Sequence, residues 1–328
     1  MSRGARVVGV VGVLAVTVLG CTMAPGRAVR PSETALGQPG GRWVMLAPMP
    51  EARQEVGVAV ADGRVYVAGG FRGDGTISPA FEAYEIAHDR WVPLAALPEP
   101  VHHPAAAALN GLVYVVGGYT AQGAVDSLWE YDPATDRWAQ RASMPTARGA
   151  LGAATLDGRL YAVGGDRGRS VGELAVYDPG TDTWEELPAM RYPRDHLAVA
   201  ALAGRLYAAG GRNGRDFTLA VFEEYDPQAR QWSERPPLPT GRSGIAGAAV
   251  SGRLYVFGGE GNPAHPQGIF DNVEAYEPSS QSWTLLAPMP NPRHGIAAGV
   301  ADGRIYLPGG ATVQGLGATA LNEAFDPT

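Results

Sequence analysis

The sequence predicts an all-β fold: a six-bladed β-propeller at residues 42–328, with four antiparallel strands per blade. Three observations predict it. Double glycines begin at Gly69, Gly117, Gly164, Gly210, Gly258 and Gly309. A tryptophan stands 26 residues before each, at Trp43, Trp91, Trp138, Trp184, Trp232 and Trp283. A tyrosine stands seven residues before five of these tryptophans, at Tyr84, Tyr131, Tyr177, Tyr225 and Tyr276. Only the distance from the first glycine to the aromatic varies, between 13 and 18 residues. A fixed period marks a repeat architecture. Short strands at even spacing, with a glycine and aromatic motif in each unit, mark a propeller.

The third unit shows the elements in order. "LGAATL" is small and apolar, as the innermost strand must be where the blades crowd round the axis. "DGR" turns the chain. "LYAVGG" is the second strand, and the segment of variable length follows it. "LAVYDP" is the third strand and "WEEL" the outer one, and their large aromatics have room to pack between blades. A loop of the type "MPTAR" leads into the next unit. The last copy stops at "FDPT", before its outer strand. The stretch "GGRW", Gly40 to Trp43, with "VMLAPMP" after it, has the missing pattern and is expected to supply that strand. Closing a ring in this way leaves no open sheet edge.

Composition bounds the chemistry. The chain has 328 residues, 45 glycines and 27 prolines, yet 45% of its residues are apolar, which suits turns and strands better than disorder. A net charge of −7 and the lack of any basic block argue against a nucleic-acid partner. All 26 cationic residues are arginine, which excludes lysine Schiff-base chemistry.

Arg3 and Arg6 precede a 14-residue apolar run at 7–20, shorter than a membrane span and of signal-peptide length. The run leads straight into Cys21, the sole cysteine, and "VLGC" resembles the lipobox of bacterial lipoproteins. That resemblance implies a signal peptide at 1–21, lipidation at Cys21 and a location in the cell envelope, held to the membrane by the lipid alone. A Pro/Gly-rich linker at 22–41 would span about 25 Å if flexible. With Cys21 so used, no disulfide is expected in the folded domain.

The glycine pair, the tyrosine and the tryptophan recurring in one register resemble the kelch repeat over about 285 residues. The tryptophans do not stand in a Trp-Asp dipeptide, so WD-type repeats fit poorly. The resemblance implies a propeller of six blades. Galactose oxidase shares the kelch fold, but its copper–radical site needs a cysteine crosslinked to tyrosine, and Cys21 lies in the signal. Sialic acid mutarotases are exported six-bladed kelch proteins, an analogy of fold alone. The glycine pairs are not phosphate loops, since no helix follows them.

In a four-stranded meander, the b–c and d–a loops share one face. The variable segments are b–c loops, so that face is expected to bind the ligand. Its candidates are Arg72 and Asp74, Arg167 and Arg169, Arg212, Asn213 and Arg215, and Glu260 and His265 in the longest loop, with His102 from a d–a loop. Guanidinium forks suit carboxylates, phosphates and sugar acids. Arg53, Arg148, Arg194, Arg242 and Arg293 repeat at one position and are expected to brace the blades, paired with Glu82, Glu223, Glu274 and Glu323. Blade 2 lacks both partners, with Val101 and Trp129 instead. Blade 3 keeps Arg148 but has Ala175 in the glutamate position.

Two residues beyond the repeated arginine stand Glu55, His103, Ala150, His196, Gly244 and Gly295. Glu55, His103 and His196 are therefore candidates for the channel mouth and for acid/base work. The expected function is a monomeric binding module for a protein or an anionic glycan, without cofactor or metal. The alternative is a small enzyme acting on an acidic sugar, with those three residues as its acid/base set.

Overall fold

The computed structural model describes Met1 and residues 40–327. The expected signal peptide with Cys21, and the linker up to residue 39, lie outside the described residues. Six four-stranded antiparallel sheets form the blades. In blade 3 the strands from the axis outward are Gly152–Leu156, Arg159–Val163, Leu174–Asp178 and Thr183–Leu187. Blade 6 takes three strands from the end of the chain and its outer strand, Arg42–Met45, from the start. Trp43 lies opposite Phe325, and Arg42 opposite Asp326. The ring is closed as the broken last repeat predicts.

Steric crowding decides the inner strands. A Cβ on Gly152 would stand 2.2 Å from Val199 of the next blade, and one on Gly299 2.5 Å from Val60. The a–b turns need two residues of positive φ, the requirement of a two-residue type I′ hairpin. Asp157 (φ 50°) and Gly158 (φ 73°) supply them in blade 3.

The tryptophans join the blades. Each faces its register aromatic across strands c and d, Phe325 for Trp43 and a tyrosine for the other five, as Tyr177 faces Trp184 with ring centroids 5.3 Å apart. Each indole Nε1 then donates to a carbonyl just beyond the outer strand of the preceding blade. Trp91 bonds Ala47 O at 2.9 Å, Trp138 Ala95 O at 2.8 Å and Trp184 Ala142 O at 2.7 Å. Trp232 bonds Pro188 O, Trp283 Pro236 O and Trp43 Ala287 O. The N-terminal strand thus makes the same staple as the other five.

The repeated arginines are fully buried and tie two blades each. The N–H of the second glycine of a pair donates to the carbonyl at the arginine position of the next blade, as Gly211 does to Arg242 at 2.9 Å and Gly310 to Arg53 at 2.8 Å. The guanidinium turns into its own blade, where Arg242 Nε reaches Gly258 O at 2.7 Å and its Nη1 reaches Glu274 at 2.6 Å. Arg53 pairs with Glu82, Arg194 with Glu223 and Arg293 with Glu323 in the same way. In blade 3 Glu173, two residues before Ala175, pairs with Arg148 at 3.0 Å. Burial pulls the arginines below their ordinary pKa, and the facing carboxylates oppose it. The first glycine of each pair must lack a side chain, because a Cβ on Gly258 would stand 2.2 Å from Arg293 O.

Breaking one buried pair strands a charge, whereas replacing both partners removes it. Arg242→Met is expected to destabilise the domain by about 3–5 kcal/mol. Arg242→Met with Glu274→Leu should recover most of that loss, as read by urea denaturation. A double variant no more stable than the single one would contradict this account.

Candidate functional site

Six residues, one per blade, close a backbone ring at the channel mouth. Glu55, His103, Ala150, His196, Gly244 and Gly295 all have φ between 51° and 65°. The N–H of each donates to the carbonyl of its counterpart in the preceding blade: His103 to Glu55, Ala150 to His103, His196 to Ala150, Gly244 to His196, Gly295 to Gly244 and Glu55 to Gly295, at 2.8–3.0 Å. The left-handed conformation lets each N–H and carbonyl point along the ring. Side chains in the unfavourable αL region persist only where the surroundings hold them there.

The ring brings Glu55, His103 and His196 together, with one donor atom from each within 4.8 Å of the other two. Glu55 Oε2 lies 3.2 Å from His103 Nε2. His103 Nδ1 faces His102 Nδ1 at 2.5 Å, and His102 stacks between Phe71 and Tyr119, with centroids 3.8 and 5.2 Å away. Burial holds the His103 imidazole well below its ordinary pKa, helped by His196, His102 and Arg212. Burial, then His196, brings His102 to about 4. Both rings are therefore neutral at neutral pH.

His196 is held from both sides. Its Nδ1 lies 2.5 Å from Asp195 Oδ1, and its Nε2 lies 2.9 Å from Arg212 Nη2. Arginine only donates, so Nε2 is the acceptor and Nδ1 carries the proton. Burial raises the Asp195 carboxyl, but hydrogen bonds from His196 and Ser170 and the charge of Arg212 outweigh it and leave it below its ordinary pKa. Arg212 also reaches Glu260 at 2.6 Å. His294 Nε2 lies 2.8 Å from Val313 O, and its buried Nδ1 faces Glu55 at 3.7 Å and Glu260 at 3.6 Å without a hydrogen-bond partner.

Two cavities meet at His103 and His196. Below the ring is the central channel, about 120 Å³, walled by the small residues of the inner strands. Above it, off the axis, a cleft of about 1070 Å³ opens between the loops of blades 2–4. Its floor is His103, His196, Asp195 and Arg212, and its walls include Tyr119, Arg169, Arg215 and Phe217. Arg169 and Arg215 are exposed and have no ion pair or side-chain hydrogen bond among the described residues. Phe217 stacks under Arg212 at 4.8 Å.

The other sequence candidates are placed differently. Arg72 pairs with Glu51 at 3.0 Å, and Arg167 with Glu173 at 2.9 Å. Asp74 and Asn213 accept backbone N–H groups of their own turns. His265 Nδ1 accepts the N–H of Gln267. Of these five only Asn213 lines the cleft. Glu260 is buried beside Arg212, close to the mouth.

Asp195, His294, Tyr119 and Phe217 are absent from the sequence reading. A signal existed for three of them. The residue after each repeated arginine position (Gln54, His102, Gly149, Asp195, Ser243, His294) bridges the residue after each glycine pair (Phe71, Tyr119, Asp166, Arg212, Glu260, Ala311). These two columns form a second ring round the mouth. Phe217 sits within a loop of variable length and has no such register.

The comparisons with known proteins agree with this architecture. The family description "KLHDC2/KLHL20/DRC7 Kelch-repeats domain" matches residues 42–195, and "Kelch motif" matches residues 193–239 and 241–290. The chain carries a six-bladed kelch-repeat propeller. A stretch of 67 residues is 36% identical to Kelch-like protein terF of Aspergillus terreus; the match covers 20% of this chain and 15% of that protein. Among solved structures, "Structure of YjhT" superposes with a TM-score of 0.71 at 17% identity, covering 84% of this chain and 95% of that one. At that identity the likeness is one of fold.

The kelch mouth depends on a missing side chain. A Cβ on Gly295 would stand 2.5 Å from Glu55 Oε1, at a φ of 58° that alanine disfavours. Gly295→Ala is expected to cost about 1 kcal/mol in thermal stability. It should also push the Glu55 carboxylate off His103, seen as a shift of the His103 ring resonances in NMR. Unchanged His103 resonances would count against the contact.

Proposed function

We propose that this kelch propeller is an extracytoplasmic binding module for a small anionic glycan, taken up in the cleft between the loops of blades 2–4. The observation that carries the reading is the pair of exposed guanidiniums, Arg169 and Arg215, on the walls of that cleft, without ion pairs among the described residues. Guanidinium is a planar, permanently charged fork suited to carboxylates. Tyr119 and Phe217 offer apolar faces for a sugar ring, and Asn213 offers a polar group. A protein ligand would use the same face over a wider area.

Titration calorimetry with N-acetylneuraminate and glucuronate, against glucose as the neutral control, tests the reading. Binding of an acid and not of glucose is expected. Arg169→Ala and Arg215→Ala should each weaken it by at least about tenfold, the lower end of the worth of a charge-assisted hydrogen bond. Equal binding of the neutral sugar, or none of any acid, would refute it.

A second reading is turnover of such a sugar, favoured by the convergence of Glu55, His103 and His196 beside the cleft floor. Faster anomeric equilibration of the bound acid, lost in Glu55→Gln, would select it. The envelope location rests on the apolar run at 7–20 and on Cys21. Cys21→Ser is expected to move the protein from the membrane fraction to the soluble one, as read by immunoblotting. The N-terminal strand enters blade 6 at its c–d edge, so a tether there would leave the cleft facing away from the membrane.

A further inference from the structure

We propose that Glu55, His103 and His196 form a three-ligand site for a divalent cation of the zinc class at the channel mouth, open toward the cleft. Two imidazole nitrogens and a carboxylate oxygen are a usual donor set for such an ion. Two ligands on one tetrahedral ion, each about 2.1 Å away, stand about 3.4 Å apart. His103 Nε2 and Glu55 Oε2 are 3.2 Å apart, and all three donors lie within 4.8 Å of one another. The hydrogen-bonded ring fixes the three backbones, so only small side-chain rotations are needed to close the set.

The surroundings match what a metal ligand needs behind it. A ligating histidine nearly always gives its other ring nitrogen to a partner that orients it. His196 gives Nδ1 to Asp195, which Ser170 also bonds, and His103 faces His102 through Nδ1. His102 in turn is wedged between Phe71 and Tyr119. An independent observation is the buried, unpartnered Nδ1 of His294, which approaches Glu55 from its other side. Charge also favours a cation. Asp195 and Glu260 flank the guanidinium of Arg212, and Glu55 adds a third carboxylate beside His103. A metal must displace Arg212 from His196 Nε2; because the guanidinium is a rigid plane, its rotation also gives up Asp195 or Glu260, and the other carboxylate keeps it. His103 and His196 also line the cleft, so the open coordination positions meet whatever enters it.

The test uses the full chain without sugar, which separates it from the acidic-glycan reading. Titration with Co2+ is expected to give visible d–d bands saturating at one equivalent, and Zn2+ should displace the cobalt. Glu55→Gln and His103→Asn should each weaken binding at least tenfold, and Asp195→Asn by about 10–100-fold. His265→Asn and Cys21→Ser should leave it unchanged. X-ray absorption of the zinc-loaded wild type should show two imidazoles and no sulfur, a readout that does not depend on any variant folding. A lack of cobalt bands, a sulfur ligand, or binding that survives Glu55→Gln and His103→Asn would overturn the proposal.

Discussion

The structure depends on one exchange between neighbouring blades. The carbonyl at each arginine position accepts the N–H of a glycine in the preceding blade, while the guanidinium reaches into its own blade to cap carbonyls and meet a glutamate. Every other regularity follows from keeping that approach close. Both glycines have positive φ, and the first has no room for a side chain. The strand length from the tryptophan to the glycine pair cannot change without sliding the pair off its carbonyl. That is why 26 residues recur six times while the loop beyond the glycines drifts.

Blade 2 shows that the carbonyl matters more than the charge. Val101 keeps the backbone bond from Gly70 at 2.9 Å, although it has no guanidinium. Loss of arginine and of its glutamate together avoids a stranded buried charge. In this blade without the repeated arginine, the adjacent His102 and His103 pack against Phe71 and Tyr119. The irregular blade is thus also the one that furnishes two of the four histidines round the mouth.

The ring at the mouth makes a chemically uneven set from a regular frame. All six backbones hold the same left-handed conformation, so side-chain identity alone distinguishes one blade from the next. Glycine in blades 5 and 6 leaves room that Glu55 and Glu260 fill. Glutamate and histidine in blades 1, 2 and 4 put polar groups at the mouth, and the cleft opens beside the two histidines.

The sequence by itself determined the six blades, the closure by Trp43, the inner strands of small residues and the repeated Arg–Glu pairs. These are legible because each is a spacing or a composition repeated in register, and repetition needs no knowledge of distance. It also placed Glu55, His103 and His196 in one column, hence at one height. Only the tertiary structure decided how close they stand, that Arg212 and Glu260 share their neighbourhood, and that Arg72, Arg167 and Asp74 are held by local partners instead. It also supplied Glu173, one residue before the strand, in place of Ala175, because extended chain puts side chains two residues apart on the same face. The contact of Arg212 with Glu260 rests on side-chain reach between blades, 48 residues apart in sequence, and no local pattern encodes that reach.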